Sequence, residues 1–404
     1  MFEFGRDLRK LFAQARESED LGWIELIGAD LLRAEARREA TDAGRVSCAR
    51  PFETENRACA LWREHARRTG AADSLDRADR CADSLARSAV GEDQIARAAM
   101  AKAAVLMLRF DLCGDPARLD CAATTLAAVG QPRSRRIAVG MAALHARLTV
   151  RTARLSGDIA RLHQAAVLMD EAVRRDDAED MDLRMDRAAL SLEMGVVQRD
   201  VHLLDQAGRD LGALVEAASP DHRPLTRARA LALCGAGLSA LAVIAGHDEA
   251  RNQGRIMFDA AADQFTPDHS PLDWAAIQVL RVGDDAQPLM LLTQAETLTQ
   301  GGELIIGALA RERRITREVA LAEAVKNLTA LMTLETRLRA RMATATPLDW
   351  AADQIGMAEI MLARHRLGGV VPTDLGLILG EAAMTAREMG VDALADRAEA
   401  LLRS

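Results

Sequence analysis

The chain has 404 residues and a formal charge of −8, so its net field does not favour nucleic-acid phosphate. Aromatic residues are scarce, with seven Phe, four Trp and no Tyr, while Ala supplies 79 positions. Such a composition argues against an aromatic-rich β sandwich and for close-packed helices, and ten Pro with 27 Gly exclude a low-complexity chain.

The first residues, Met1 to Asp7, carry no signal-peptide hydrophobic run. Trp23, Ile24, Ile27, Leu31 and Leu32 then mark one apolar face, so residues 1–50 are expected to form helices that cap one end of the fold.

From residue 51 the chain repeats itself about every 43 residues. Leu75, Leu119, Leu162 and Leu204, with Arg251 as a degenerate fifth, are spaced by 44, 43, 42 and 47. Three residues after each comes a small one: Ala78, Ala122, Ala165, Ala207 and Gly254. Seven after each comes Ala82, Leu126, Met169, Leu211 or Phe258. Five before each stands Gly70, Gly114, Gly157 or Gly246, with Arg199 the exception. Asp115, Asp158 and Asp200 follow directly, and Asp248 one residue later. Glycine closes a helix in the left-handed conformation and Asp caps the next, so each junction predicts the turn of an antiparallel helical hairpin. The i, i+3, i+7 stripe is one face of the second helix. The expected pairs are 52–69 with 72–89, 92–113 with 116–129, 134–156 with 159–175, 180–197 with 200–217, and 224–245 with 248–264. Residues 51–266 thus hold five repeats.

Residues 267–390 predict further, degenerate repeats. Ser270-Pro271-Leu272-Asp273-Trp274-Ala275 returns 76 residues later as Thr346-Pro347-Leu348-Asp349-Trp350-Ala351. Ser or Thr before Pro, with Asp two residues on, is a helix-start pattern, and Trp274 and Trp350 read as packing wedges. Gln278 and Gln354 occupy matching places one turn later and are the two candidate partner-binding residues, with a buried role as the alternative. Between Gly307 and Pro347 neither Gly nor Pro occurs, so 308–346 predicts either one long helix or two joined by a polar turn near Arg314 to Thr316. Residues 391–404 are expected to cap the other end.

Chemical motifs are sparse. The six Cys form no CxxC and read as reduced, buried thiols of a cytoplasmic protein. The eight His show no metal-ligand spacing, and no Walker loop or nucleophile elbow occurs. Gly235-Ala236-Gly237-Leu238-Ser239-Ala240 lies in a predicted helix with no strand before it, so helix–helix contact explains it better than a dinucleotide. The uncharged run Ala230 to Gly246 reads as a buried central helix rather than a membrane span. Two basic clusters, Arg133, Arg135 and Arg136, then Arg311, Arg313 and Arg314, read as solvated surface. Acidic blocks such as Asp176, Asp177, Glu179, Asp180 and Asp182 offset them.

The second-helix pattern Ala122, Leu126, Val129, and again Ala165, Met169, Ala172, resembles the tetratricopeptide-repeat superfamily. The Ser/Thr-Pro-Leu-Asp-Trp-Ala-x-x-Gln opening looks like a divergent bacterial subgroup with longer helices. The resemblance covers most of 52–390, with a period longer than the usual ~34 residues and no Tyr in the first helix. It implies a right-handed α-solenoid that binds other proteins.

The expected fold is therefore all-α, a solenoid of about seven to eight stacked hairpins. The expected function is a non-enzymatic scaffold or adaptor for a protein or peptide partner, without cofactor, metal site, nucleic acid or membrane insertion. A sensor that binds a small molecule or signalling peptide inside the superhelix is the first alternative, and an enzyme on a helical scaffold the second.

Overall fold

The computed structural model describes residues 21–175, 180–281, 288–300, 304–370 and 373–403. Within them every regular element is helical: a 3-10 turn at Gly22–Leu26 and eighteen α-helices, with no strand. The expected segment 1–20 of the N-terminal cap, most of the acidic block near Asp176 and the terminal Ser404 lie outside the described residues.

The chain divides into two compact units. The smaller comprises Met1–Ala34 and Ala178–His269, and the larger comprises Glu35–Asp177 and Ser270–Ser404. Helix α1, Ala29–Ala43, contains one of the division points. In the larger unit follow α2 (Pro51–Thr69), α3 (Ala72–Ser88), α4 (Glu92–Cys113), α5 (Ala117–Ala127), α6 (Arg135–Ser156) and α7 (Ile159–Arg175). The smaller unit holds α8 (Met181–Gln198), α9 (Val201–Ala217), α10 (Pro224–Ala245) and α11 (Asp248–Gln264). The larger unit resumes with α12 (Pro271–Leu280), α13 (Leu289–Leu298), α14 (Ile305–Ala324), α15 (Leu328–Met342), α16 (Pro347–Arg366), α17 (Leu375–Glu388) and α18 (Asp392–Arg403).

Neighbouring helices pack pairwise, and from α2 to α11 the bounds fall within two residues of those the repeat predicts. The turns work as their residues dictate. Gly70, Gly114, Gly157 and Gly246 all take left-handed φ, between 62° and 73°. Arg199, which breaks the glycine pattern, still adopts φ 54°, so the turn geometry survives a less favourable residue. Asp200 then caps α9 by accepting from the His202 and Leu203 amides, and Asp180 caps α8 in the same way. The predicted stripes are buried: Leu119, Ala122 and Leu126 on α5, Leu162, Ala165 and Met169 on α7, and Leu204, Ala207 and Leu211 on α9.

In the smaller unit, α10 lies along α11 so closely that a Cβ on Gly235 would stand 3.0 Å from the Gly254 carbonyl oxygen, and one on Gly254 as near to the Gly235 oxygen. This is the close approach expected of that small-residue string. Glu25 of the 3-10 turn accepts from the Thr226 amide at 2.8 Å and from its hydroxyl, putting a carboxylate at the positive end of α10. Among the described residues α10 alone is long and apolar enough to cross a membrane by length and composition, and only 22% of its apolar window is buried, so it is a half-covered helix and not the buried central one expected.

In the larger unit, segments far apart in sequence meet. α2 packs on α12 and α4 on α14. The glycine turns take part: a Cβ on Gly70 would press on the Leu304 side chain, and one on Gly114 would run into the Met389 carbonyl oxygen. At Gly157 and Gly246 the same Cβ would meet nothing within 4 Å.

Residues 308–346 form two helices rather than one, and their turn is not near Arg314. Lys326 adopts left-handed φ 50°, and the Asn327 side chain accepts from the Ala330 amide at 3.0 Å to start α15. An Asn cap replaces the Gly or Pro that a sequence search looks for. Arg314 and Thr316 sit mid-helix in α14, where interhelical bonds use them. At the C-terminus α18 buries Leu394, Ala395 and Ala398 in a cluster shared with α16 and α17.

Candidate functional site

The two copies of the Pro-Leu-Asp-Trp motif begin α12 and α16, and each uses its Asp to bind an arginine from another helix. Asp273 accepts two bonds from Arg67 of α2, at 3.0 and 3.2 Å, while Arg67 also grips Glu64 at 2.8 and 2.9 Å. Asp349 pairs with Arg311 of α14 at 2.8 Å. Thr346 caps α16 through the Asp349 amide, whereas the Ser270 hydroxyl turns to the Asp273 carboxylate. Trp274 is buried, and Trp350 packs at the edge of the cluster formed by α14, α16, α17 and α18.

Gln278 is 2% exposed on α12, so it is held inside the fold rather than presented on a surface. Gln354 is half-buried on α16, between Asp353 and Ile355. They stand on separate helices that both pack on α14.

The concentration of buried charge lies beside them and was not singled out from sequence. Glu296 on α13 receives Nε of Arg311 at 3.2 Å, Nη1 of Arg341 at 3.3 Å, and Arg314 in closer contact. Arg314 also binds Glu318, and Arg341 donates through Nε to Asp353 at 2.9 Å. Arg314 is 6% exposed and Asp353 wholly buried. The cluster Arg311, Arg313, Arg314 is therefore not the solvated surface that the sequence suggests: Arg311 and Arg314 join α14 to α13 and α16. The first cluster differs, since Arg133, Arg135 and Arg136 are exposed, with Arg133 paired to Glu92.

Burial alone would push the Glu296 carboxyl up, but the guanidiniums of Arg314, Arg311 and Arg341 outweigh it and hold it below its usual value. Asp353 goes the other way: desolvation raises it despite Arg341. A second array lies further along α14 and α16, where Glu312, Thr316 and Glu359 meet Arg397 of α18. A third joins Glu335 of α15 to Arg364 and Arg339, each at 2.6 Å.

The six cysteines are free thiols, but only Cys59 is buried as expected; Cys48, Cys81, Cys113 and Cys234 are half-buried and Cys121 is exposed. Burial pushes Cys59 up to about 12, and Cys81 and Cys234 to about 11, so these three are poor nucleophiles at neutral pH. Among the described residues no three His, Cys, Asp or Glu side chains gather as a metal site.

No protein-family model and no curated protein matches this chain. Arginine stays charged at every accessible pH and cannot relay protons, and each buried carboxylate in these arrays already has guanidinium partners. The arrangement is suited to clamping helices in register.

Proposed function

We propose that the chain is a solenoid of eight helical hairpins, α2–α3 through α16–α17, of the tetratricopeptide-repeat type. Its role would be that of a non-enzymatic scaffold or adaptor that binds a protein or peptide. The observation that carries this reading is the common register of the first five hairpins. Each has the same left-handed turn and the same buried small-residue stripe, the construction that lets one module cover the next. A cytoplasmic setting belongs to the same proposal and fits six free thiols.

In this reading the first helices of the hairpins line the binding face, and the packing of the larger unit narrows the choice among them. There α2 and α4 already face α12 and α14 of the same chain. In the smaller unit the first helices α8 and α10 keep Val196, Val197 and Val243 exposed, next to half-buried Leu241 and Ile244. Their partner, in this reading, is a peptide with an apolar face.

The test is affinity capture with the folded chain and with Val243→Asp, an exposed position whose change should leave the fold intact. The proposal requires a stoichiometric protein or peptide on the parent that the variant releases. Tight retention of a metabolite with no polypeptide would overturn it in favour of a sensor. For that alternative the convergence of Arg311, Arg314 and Arg341 is the relevant feature, but the chain's own Glu296 fills the place an anionic ligand would take.

A further inference from the structure

Glu312 and Thr316 stand one turn apart on α14, Glu359 comes from α16, and Arg397 comes from α18. Both carboxyl side chains are buried. The Thr316 hydroxyl oxygen lies 3.1 Å from Glu312 Oε1 and 2.8 Å from Glu359 Oε2. Arg397 closes the circuit, donating through Nε to Glu312 Oε1 at 3.2 Å and through Nη2 to Glu359 Oε1.

A hydroxyl carries one proton. If both carboxyls were ionised, Thr316 could donate fully to only one, and the other would set a lone pair against a lone pair. Two buried anions would also share the one guanidinium hydrogen-bonded to both, Arg397, while Arg313 makes a longer ion pair at 3.6 Å with Glu312 and none with Glu359. The other charged groups around this point are committed elsewhere. Arg366 of α16 feels the Glu359 charge but is bound to Glu323 through two bonds. From α15, Glu335 holds Arg364 and Arg339, while Arg341 holds Asp353 and Glu296. Arg387 of α17 pairs with Glu399 of α18. On the far side of α14, Lys102 of α4 is held by Asp79 and Asp83, Glu296 of α13 by its arginines, and Asp273 of α12 by Arg67.

We propose that Glu312 and Glu359 share one proton through Thr316 at neutral pH, making a proton-dependent latch among α14, α16 and α18. With the proton on Glu359, that carboxyl donates to Thr316 Oγ1, Thr316 donates to Glu312, and Arg397 balances the one remaining negative charge. Each hydrogen bond of the circuit then runs from a donor to an acceptor. Burial, reinforced by the neighbouring Glu312 and only partly offset by Arg397, moves the Glu359 carboxyl above its ordinary 4.5 in the same direction. The unfolded chain releases this proton at the ordinary value and the folded chain holds it longer. The latch therefore contributes most under acid conditions and loses stability as pH rises from the ordinary glutamate value through the raised one.

Infrared difference spectroscopy of the full chain at neutral pH tests the proton directly. The parent should show a protonated-carboxyl C=O band that E359Q lacks. E312Q should lack it as well, because Glu359 would then pair alone with Arg397 and ionise. Thermal unfolding followed from mildly acid to mildly alkaline pH supplies the second readout. The parent midpoint should fall across that range, and E359Q, which mimics the protonated form permanently, should flatten the fall. A band that survives both variants, or that disappears only in D353N, would overturn the proposal. So would a pH profile that E359Q leaves unchanged, even if that variant unfolds more easily.

Discussion

The α10–α11 seam of the smaller unit and the α14–α16 seam of the larger unit solve one problem by different physics. Both begin with glycine: Gly235 and Gly254 bring two backbones together, and Gly356 admits the Ile315 side chain. The first seam then relies on contact, since α10 carries no charged residue from Ala230 onward. The second places Glu312, Thr316, Asp353 and Glu359 along its length and ties them to α13, α15 and α18 through arginines. Close approach fixes a distance and is indifferent to pH. Buried ion pairs fix which helix faces which, and they make the seam responsive to protons.

That contrast can be broken most forcefully at Leu204, whose side chain packs in the apolar cluster with Leu233, Leu241 and Ile244 of α10. Leu204→Asp buries a charge without a partner and should cost about 4–5 kcal/mol, seen as a large drop in the thermal unfolding midpoint. An unchanged midpoint would mean that the hairpin register is wrong. In the charged seam, Glu296→Gln removes the anion shared by Arg311, Arg314 and Arg341, each of which keeps a second carboxylate, and should cost about 1–3 kcal/mol. Its signature is the pH dependence. The Glu296 carboxyl is held below its usual 4.5, so its contribution is present above that value and disappears as pH falls through the folded-state one. The parent should lose more stability on acidification than the Gln variant, which denaturant titrations at two pH values would measure.

Two glycine turns sharpen the contrast further. Gly246→Ala and Gly114→Ala both force alanine into left-handed backbone, a penalty of about 1 kcal/mol. Only at Gly114 does the new methyl meet the Met389 carbonyl, which should add about 1–3 kcal/mol of overpacking. Equal denaturation midpoints for the two variants would show that the α17–α18 turn does not bear on Gly114. The smallest effect belongs to the outlying pair of Glu323 and the exposed Arg366, where Glu323→Gln should change stability by less than about 1 kcal/mol.

The repeated turns were legible because glycine and aspartate advertise helix ends through local backbone and capping chemistry. Even Arg199 obeyed the register, since its neighbours, Asp200 included, specified the turn without it. The break at Lys326 was hidden because Asn327 caps as effectively as the residues searched for, inside a stretch with no Gly or Pro. The charged arrays were illegible for a different reason. Nothing local distinguishes Arg314 from Arg133, and only the arrival of Glu296, 18 residues away, buries the first and not the second. Ion pairs such as Arg67 with Asp273 depend on segments with no neighbourhood in sequence.

That last pair, 206 residues apart, has a consequence for how the protein is made. A ribosome adding about 5–20 residues per second delivers Asp273 roughly 10–40 seconds after Arg67. Throughout that interval the nascent larger unit lacks α12 and α14, and the surfaces of α2 and α4 that they cover stand open to chaperones and to other nascent chains.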